Sequence, residues 1–385
     1  MDLSFLQILW FILIIVLWIG YVTLEGFGFG VGMLLPILPK NEKERRLALN
    51  TIGPHWDGNE VFLLTAGGAT FAAFPNWYAT MFSGMYAALV VILLLLIVRI
   101  SALEWRGKLT SIRWRRTWDT LHTVVAWLAA VVWGVAFANL VQGMDIQVGS
   151  YDTPGGEFVA VPVDFAADPA AYIDAGLADG ARHYLTGGFV SLFTPFTILG
   201  GVMVALLFLT HGALWLSIKT RGEFHDRAKS YALKLSVAST VVTAGWALWA
   251  QFGYSLNWWS LIPLAIAAIC LVASVVAVFS GKDVPAFFLH FAGLASAVAF
   301  IFCTFFPNAL KSSADPAYSL TLAQASATAP THTVMLIAAA IFVPIVLIYL
   351  SWSYWVFSRR ISVDNLSDEP AGLDPNQIRE FETIS

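Results

Sequence analysis

The chain has 385 residues, 58% of them hydrophobic and only 12% charged, with a formal net charge of −4 and a mean hydropathy of +0.73. Soluble domains carry roughly 25% charged residues, so this composition excludes a soluble enzyme and marks an integral membrane protein. The small net charge averages basic loops against acidic ones, and no nucleic-acid partner is expected.

A segment needs about 20 apolar residues to cross the hydrocarbon core, and nine such segments occur along the chain. The first, 6–38, has no Lys or Arg before Lys40. It therefore lacks the basic start of a signal peptide and is expected to be retained. Gly26, Gly28, Gly30 and Gly32 lie in its second half. The two four-residue spacings they form suit close helix packing better than a dinucleotide loop, since no strand precedes them.

Lys40, Lys43, Arg45 and Arg46 follow, and then His55, Trp56, Asp57, Asn59 and Glu60 lead into the second span, 56–74. The third, 78–99, closes on Arg99, and a loop with Arg106, Lys108, Arg113, Arg115 and Arg116 leads to Asp119 at the start of the fourth, 118–141. The region 142–185 is acidic, with a turn signal at Pro154-Gly155-Gly156. Its Ala-rich second half is compatible with a short surface helix. Spans five to eight are expected at 186–218, 231–252, 259–280 and 285–307, and the ninth at 334–357. Cys270 and Cys303 fall inside spans and read as structural thiols.

Basic loops alternate with nearly cation-free ones, in which only Arg182 and Lys311 occur. Cationic loops stay in the cytoplasm, which puts the N-terminus outside and the C-terminus in the cytoplasm, as nine crossings require. The fold expected is an all-α integral membrane protein with nine transmembrane helices, arranged as two four-helix bundles plus one peripheral helix. Loop lengths divide it into a first bundle over 1–141, an extracytoplasmic acidic loop over 142–185 and a second bundle over 186–307. An outer loop and ninth helix occupy 308–360, and a polar cytoplasmic tail, expected to be disordered, occupies 361–385.

With that topology, Glu25, Asp57, Arg99 and Asp119 fall in one cytoplasmic-side layer, contributed by four consecutive helices. Ionisable groups in a membrane are costly and usually serve ions or protons. Pro54 suits a helix start, Asp57 the first turn, and Glu60 the same helix face one turn deeper. With His55 at the mouth, Asp57 and Glu60 could pass protons inward, Arg99 supplying the counter-charge. A structural ion network pinning four helix ends fits the same spacing. His122, His211 and His290 lie in or near spans and could ligate haem, but no pair has a diagnostic spacing. Trp56 and Trp118 read as part of an interfacial aromatic belt.

The residues that carry these features resemble subunit II of cytochrome bd-type quinol oxidases. The likeness runs through Glu25-Gly26-Phe27, Gly30-Val31-Gly32-Met33-Leu34, Glu44-Arg45-Arg46, Pro54-His55-Trp56-Asp57-Gly58-Asn59 and Thr65-Ala66-Gly67-Gly68-Ala69. Arg113-Trp114-Arg115 with Trp118-Asp119, Gly134-Val135-Ala136-Phe137 and Trp352-Tyr354-Trp355 extend it over most of the chain. The resemblance implies a heterodimer in the bacterial cytoplasmic membrane. In it a haem-bearing subunit I holds haems b and d and the quinol site, reduces oxygen to water and drives respiratory electron transport. It implies no haem in this chain, a structural quinone in some members at residues it does not specify, and room for a small accessory transmembrane subunit and lipid.

It also implies a proton path from the cytoplasm through Asp57, with Glu25 at the acidic position of the first helix. Together with the residue reading above, Glu60, Glu25 and His55 are expected to assist and Arg99, Asp119, Trp56 and Asn59 to support. Two departures stand out. A second acid familiar two or three residues after Glu25 is replaced by Gly28, and Glu60 stands where some relatives carry a neutral Gln. The loop 142–185 is also longer and more acidic than the family pattern. The alternative function is a proton- or cation-coupled transporter, whose coupling acids would also sit in spans. A haem-binding electron carrier is a third reading.

Overall fold

The computed structural model describes residues 3–151, 156–163, 181–367 and 372. Helix α1 (Phe5–Leu34) starts at a capping box in which Ser4 and Gln7 satisfy each other's backbone N–H groups. A short amphipathic helix, α2 (Glu42–Asn50), follows, capped by Asn41 and carrying Glu42 and Glu44 where the helix dipole favours acids. Next come α3 (Trp56–Ala73), α4 (Pro75–Gly84), α5 (Tyr86–Trp105) and α6 (Ile112–Gln142). The third span was expected as one piece over 78–99. Pro75, which has no N–H, instead starts a separate ten-residue helix directly after α3, and the chain breaks again at Met85.

The second half contains α7 (Pro195–Lys219), α8 (Glu223–Tyr254), α9 (Leu261–Phe279) and α10 (Asp283–Phe305). The one-turn α11 (Leu322–Ala325) and the long α12 (Ala329–Val356) complete the helices. Among the described residues eight helices are long and apolar enough to cross a membrane. The expected span at 56–74 is α3, whose polar first turn keeps it outside that group.

Helices α1 and α7 form the buried axis. Helix α1 packs on α3, α6, α7 and α10, while α7 also packs on α6 and α8. Their crossing depends on glycine: a Cβ on Gly30 would overlap the Phe208 carbonyl oxygen and press on the backbone of Gly212. Helix α12 is the peripheral one, burying only His332 and Leu350.

The fold is not purely helical. Strand β1 (Ile146–Tyr151) pairs antiparallel with β2 (Phe158–Ala160) and β3 (Arg182–Leu185), matching Gly149 to Ala160 and Val148 to His183. Val148, Val161 and Tyr318 make a small core there, and Tyr318 donates to Val161 O at 2.7 Å. A further pair joins β4 (Asn308–Leu310) to β5 (Leu320–Thr321). These strands are too short for an alternating pattern to reveal them in sequence. The surface helix expected in the second half of 142–185 lies outside the described residues, as does most of the tail. Residues 361–367 are ordered: Ile361 exchanges backbone hydrogen bonds with Lys219 and Arg221, and Arg46 donates to Ser367 O at 3.0 Å.

Burial lowers His183 in β3 to about 4. A folded-state value below the unfolded one means the stability is present above about 6.5 and is lost as pH falls from there toward 4. Allowing for its partial exposure, the loss is about 2 kcal/mol. Amide exchange in β1 and β3 should therefore quicken through that window, and His183→Gln should flatten the dependence. Exchange unaffected by pH after correction for intrinsic rates would contradict it.

Candidate functional site

The membrane core holds one tight charge cluster, built by α1, α3 and α5. Arg99 and Glu25 are both fully buried and ion-paired through Arg99 Nη2 and Glu25 Oε1. The Glu60 carboxylate, from α3, lies on the other side of the guanidinium, with Oε2 at 3.6 Å from Arg99 Nη1. That separation is beyond a hydrogen bond. Neither Glu60 oxygen has a hydrogen-bond partner among the described residues, nor has Glu25 Oε2. Arg99 also lies 4.3 Å over the Phe29 ring. Gly28 makes this arrangement possible, because a Cβ there would meet Arg99 Nη2 and Glu25 Oε1, each at 2.8 Å. The space beside Gly28 is thus filled by the guanidinium itself.

Asn59 joins two of the cluster's helices, α3 and α1. Its Nδ2 donates to Leu24 O at 2.8 Å, and its Oδ1 accepts from Tyr354 Oη at 2.7 Å. His55 caps the inner end: its ring is stacked on Tyr354 with centroids 4.2 Å apart and lies edge-on to Trp215 at 5.7 Å. Burial lowers His55 to about 4, with Lys219 adding to the effect, so the imidazole is neutral near pH 7.

Two expected members stand elsewhere. Asp57 and Glu60 do not share an environment: Asp57 is exposed and its side chain has no partner among the described residues, while Glu60 points into the core. The i, i+3 spacing leaves an angular offset of about 60°, enough at a helix start to separate solvent from core. Trp56 is half-buried. Asp119 belongs to a second cluster, not to Arg99. Arg106 Nε donates to Asp119 Oδ1 at 2.5 Å, and its Nη2 reaches Glu42 Oε1 and Oε2 at 2.9 Å. Arg115 meets the same Glu42 at 3.2 Å. Next to it Glu44 is ion-paired with Arg227 at 2.6 Å, tying α2 to α8, and accepts from Lys40 N at 2.6 Å. The single charge layer expected from topology is therefore two clusters. The spacing of Arg106 and Arg115 suggested loop cations only, and Tyr354, 295 residues from Asn59, gave no signal.

Of the histidines considered as haem ligands, His211 and His290 are engaged with each other. His211 Nε2 is 3.0 Å from Thr23 O, and its Nδ1 is 3.1 Å from His290 Nδ1. Hydrogen-bonding both His211 nitrogens leaves that ring no free ligand atom. Both nitrogens of buried His122, and Nε2 of His290, lack hydrogen-bond partners among the described residues. No group of three His, Cys, Asp or Glu able to hold a metal occurs among the described residues. Cys270 and Cys303 are free and half-buried.

A nearly wholly apolar cavity of ≈ 560 Å³ opens between α3, α4, α5 and α6, walled by Trp18, Leu63, Phe71, Trp77, Tyr78, Met85, Leu89, Trp133 and Phe302. The Nε1–H groups of Trp77 and Trp133 on its wall have no acceptor among the described residues.

Comparison with known proteins gives a consistent picture. Residues 6–357 match the model of a family described as cytochrome bd terminal oxidase subunit II. Over 360 residues the chain is 39% identical to a cytochrome bd ubiquinol oxidase subunit 2 of Bacillus subtilis, covering 92% of this chain and 96% of that one. It is 35% identical to a probable cytochrome oxidase subunit 2 of Haemophilus influenzae, covering 92% and 94%. Against the cytochrome bd-I ubiquinol oxidase subunit 2 of Escherichia coli K12 it is 32% identical, covering 95% and 97%. The fold is also similar to a chain of the bd oxidase from Geobacillus thermodenitrificans, with a TM-score of 0.65 at 11% identity over 91% of this chain and 98% of that chain.

Proposed function

The chain belongs to the family of subunit II of cytochrome bd terminal oxidases, and from that premise we infer that it is the non-haem subunit of a membrane quinol:dioxygen oxidoreductase that brings protons from the cytoplasm to its haem-bearing partner. Membership sets aside the transporter and lone electron-carrier readings. The observation that carries the proton role is the sharing of one buried guanidinium by two buried carboxylates, Glu25 and Glu60. One positive charge balances one carboxylate, which leaves the second acid room for an exchangeable proton. An intramembrane site of this kind is a functional-site hypothesis by default.

Asp57, exposed at the first turn of α3, would be the entrance. Glu60 and Glu25 form the inner station, and His55 the neutral, aromatic-packed lip of the mouth. The Asp119–Arg106–Glu42–Arg115 cluster supports by holding helix ends. The basic loops would face the cytoplasm, with the N-terminus outside and the C-terminus inside. Residues 1–141 and 186–307 would be the two bundles, joined along α1, α6 and α7. The bare flank of α12 suits lipid or a small accessory transmembrane subunit.

Haems b and d, when bound to the partner, supply the oxygen chemistry. The apolar cavity fits the tail of an isoprenoid quinone, since its walls are aromatic and aliphatic.

Asp57→Asn in the two-subunit complex should slow quinol-driven oxygen consumption about tenfold or more, with normal haem content. Glu60→Gln should slow it less, because Glu25 remains on Arg99. Wild-type turnover in Asp57→Asn would remove Asp57 from any required role, and loss of haem would point to a structural network.

A further inference from the structure

The peripheral helix α12 is held to the body by few groups, and one of them reaches the charge cluster. At its outer end His332 Nε2 lies 2.9 Å from Ala73 O, and Trp10 Nε1 donates to His332 O at 3.1 Å. At its inner end Lys219 donates to Phe357 O, and Leu350 leans on Gly58, where an added Cβ would meet its Cδ2 at 2.8 Å. Between these anchors and the acids stands Tyr354.

We propose that Tyr354 is a positioning residue for proton transfer, which sets the separation of Glu25 and Glu60 across Arg99 by fixing the Asn59 side chain. This rests on the proton role inferred for that cluster. The hydroxyl donates to Asn59 Oδ1, and Asn59 Nδ2 donates to Leu24 O. Asn59 precedes Glu60 in α3, and Leu24 precedes Glu25 in α1. One hydrogen bond, Asn59 Nδ2 to Leu24 O, therefore ties together the two positions next to the two acids, and the Tyr354 hydroxyl anchors its donor. It also defines the amide's orientation, because only Nδ2 can donate to Leu24 O and only Oδ1 can accept from the phenol.

The spacing being controlled is sensitive. Glu60 Oε2 is 3.6 Å from Arg99 Nη1, a few tenths of an ångström outside a hydrogen bond. A small inward shift of α3 would lock Glu60 onto Arg99, and an outward shift would leave Arg99 to Glu25 alone. Either change removes the sharing that leaves a proton free to move. The stack of the Tyr354 ring on His55 closes the same mouth, so the hydroxyl and the ring serve one geometry from opposite sides.

The test is a double-mutant cycle in the assembled two-subunit oxidase, with Tyr354→Phe, Asn59→Ala and the pair together. Tyr354→Phe keeps the ring and removes the donor, leaving Asn59 Oδ1 unsatisfied. Oxygen consumption should fall about five- to tenfold, with wild-type haem content and a larger solvent deuterium isotope effect. The double variant should be no slower than Asn59→Ala, because both substitutions cut the same chain.

Effects that multiply in the double variant would place Tyr354 outside this route and overturn the proposal. Wild-type turnover in Tyr354→Phe would overturn it too, as would loss of haem or of the partner subunit, which marks a structural pin. If Asn59→Ala does not assemble, the rate and isotope effect of Tyr354→Phe decide alone. Asp57→Asn and Glu60→Gln, run beside these, separate the two levels. If both acids are dispensable, the proton role fails; if they matter and Tyr354→Phe is normal, only the positioning role does.

Discussion

Replacing Arg99 with leucine is expected to prevent recovery of an assembled, haem-bearing complex. Arg99 is fully buried and stands between Glu25 and Glu60, which are 0% and 8% exposed. Removing one partner of a buried ion network leaves uncompensated charge, which costs about 3–5 kcal/mol. Native proteins are stable by only about 5–15 kcal/mol, so a loss of that size depletes the folded subunit. The cost arises from the stranded acids rather than the missing contact, and this makes a second outcome diagnostic. The triple variant Arg99→Leu, Glu25→Gln, Glu60→Gln removes all three charges and should restore assembly, while turnover stays low. Co-purified subunit ratio and haem absorbance per unit membrane protein measure both. Wild-type accumulation of Arg99→Leu would show that the acids are neutral without it.

Gly30→Val is expected to be nearly as damaging for a purely steric reason. The atoms a side chain would meet are the Phe208 carbonyl oxygen and the Gly212 nitrogen and Cα, all backbone. A flexible side chain can move aside, whereas a helix backbone moves only if the whole α1–α7 contact opens. Overpacking costs about 1–3 kcal/mol, and this site belongs at the upper end, a fall of about 3–4 °C in the thermal midpoint for a chain of this length. Gly67→Ala is the control, since nothing lies within 4 Å of a Cβ there, and it should leave the midpoint within a degree or two. Equal midpoints for the two variants would refute the backbone-contact account.

The outcomes at individual residues show how far sequence reasoning reaches. Glu25, Arg99 and Glu60 were identifiable because an ionisable residue in an apolar run is expensive wherever it faces, and all three meet in the core. Asp57 was grouped with Glu60 by helical spacing, yet the two diverge, because which side of a helix start is covered depends on neighbours the spacing does not contain. Asp119 was assigned to the Arg99 layer by depth alone. Its partner proved to be Arg106, 13 residues earlier, because the turn between α5 and α6 brings that guanidinium back over the helix end. The outer strands went unread because they are two to six residues long.

By itself the sequence determined that this is a helical membrane protein, where most of its crossing helices run, which family pattern it follows and which ionisable residues are costly enough to matter. Those properties depend on composition, period and local order, all of which are written along the chain. Only the tertiary structure decided how the charges pair, that Gly28 yields its space to Arg99, and that Tyr354 on the outermost helix reaches Asn59. Pairing depends on distances between segments up to hundreds of residues apart, and helix packing sets those distances.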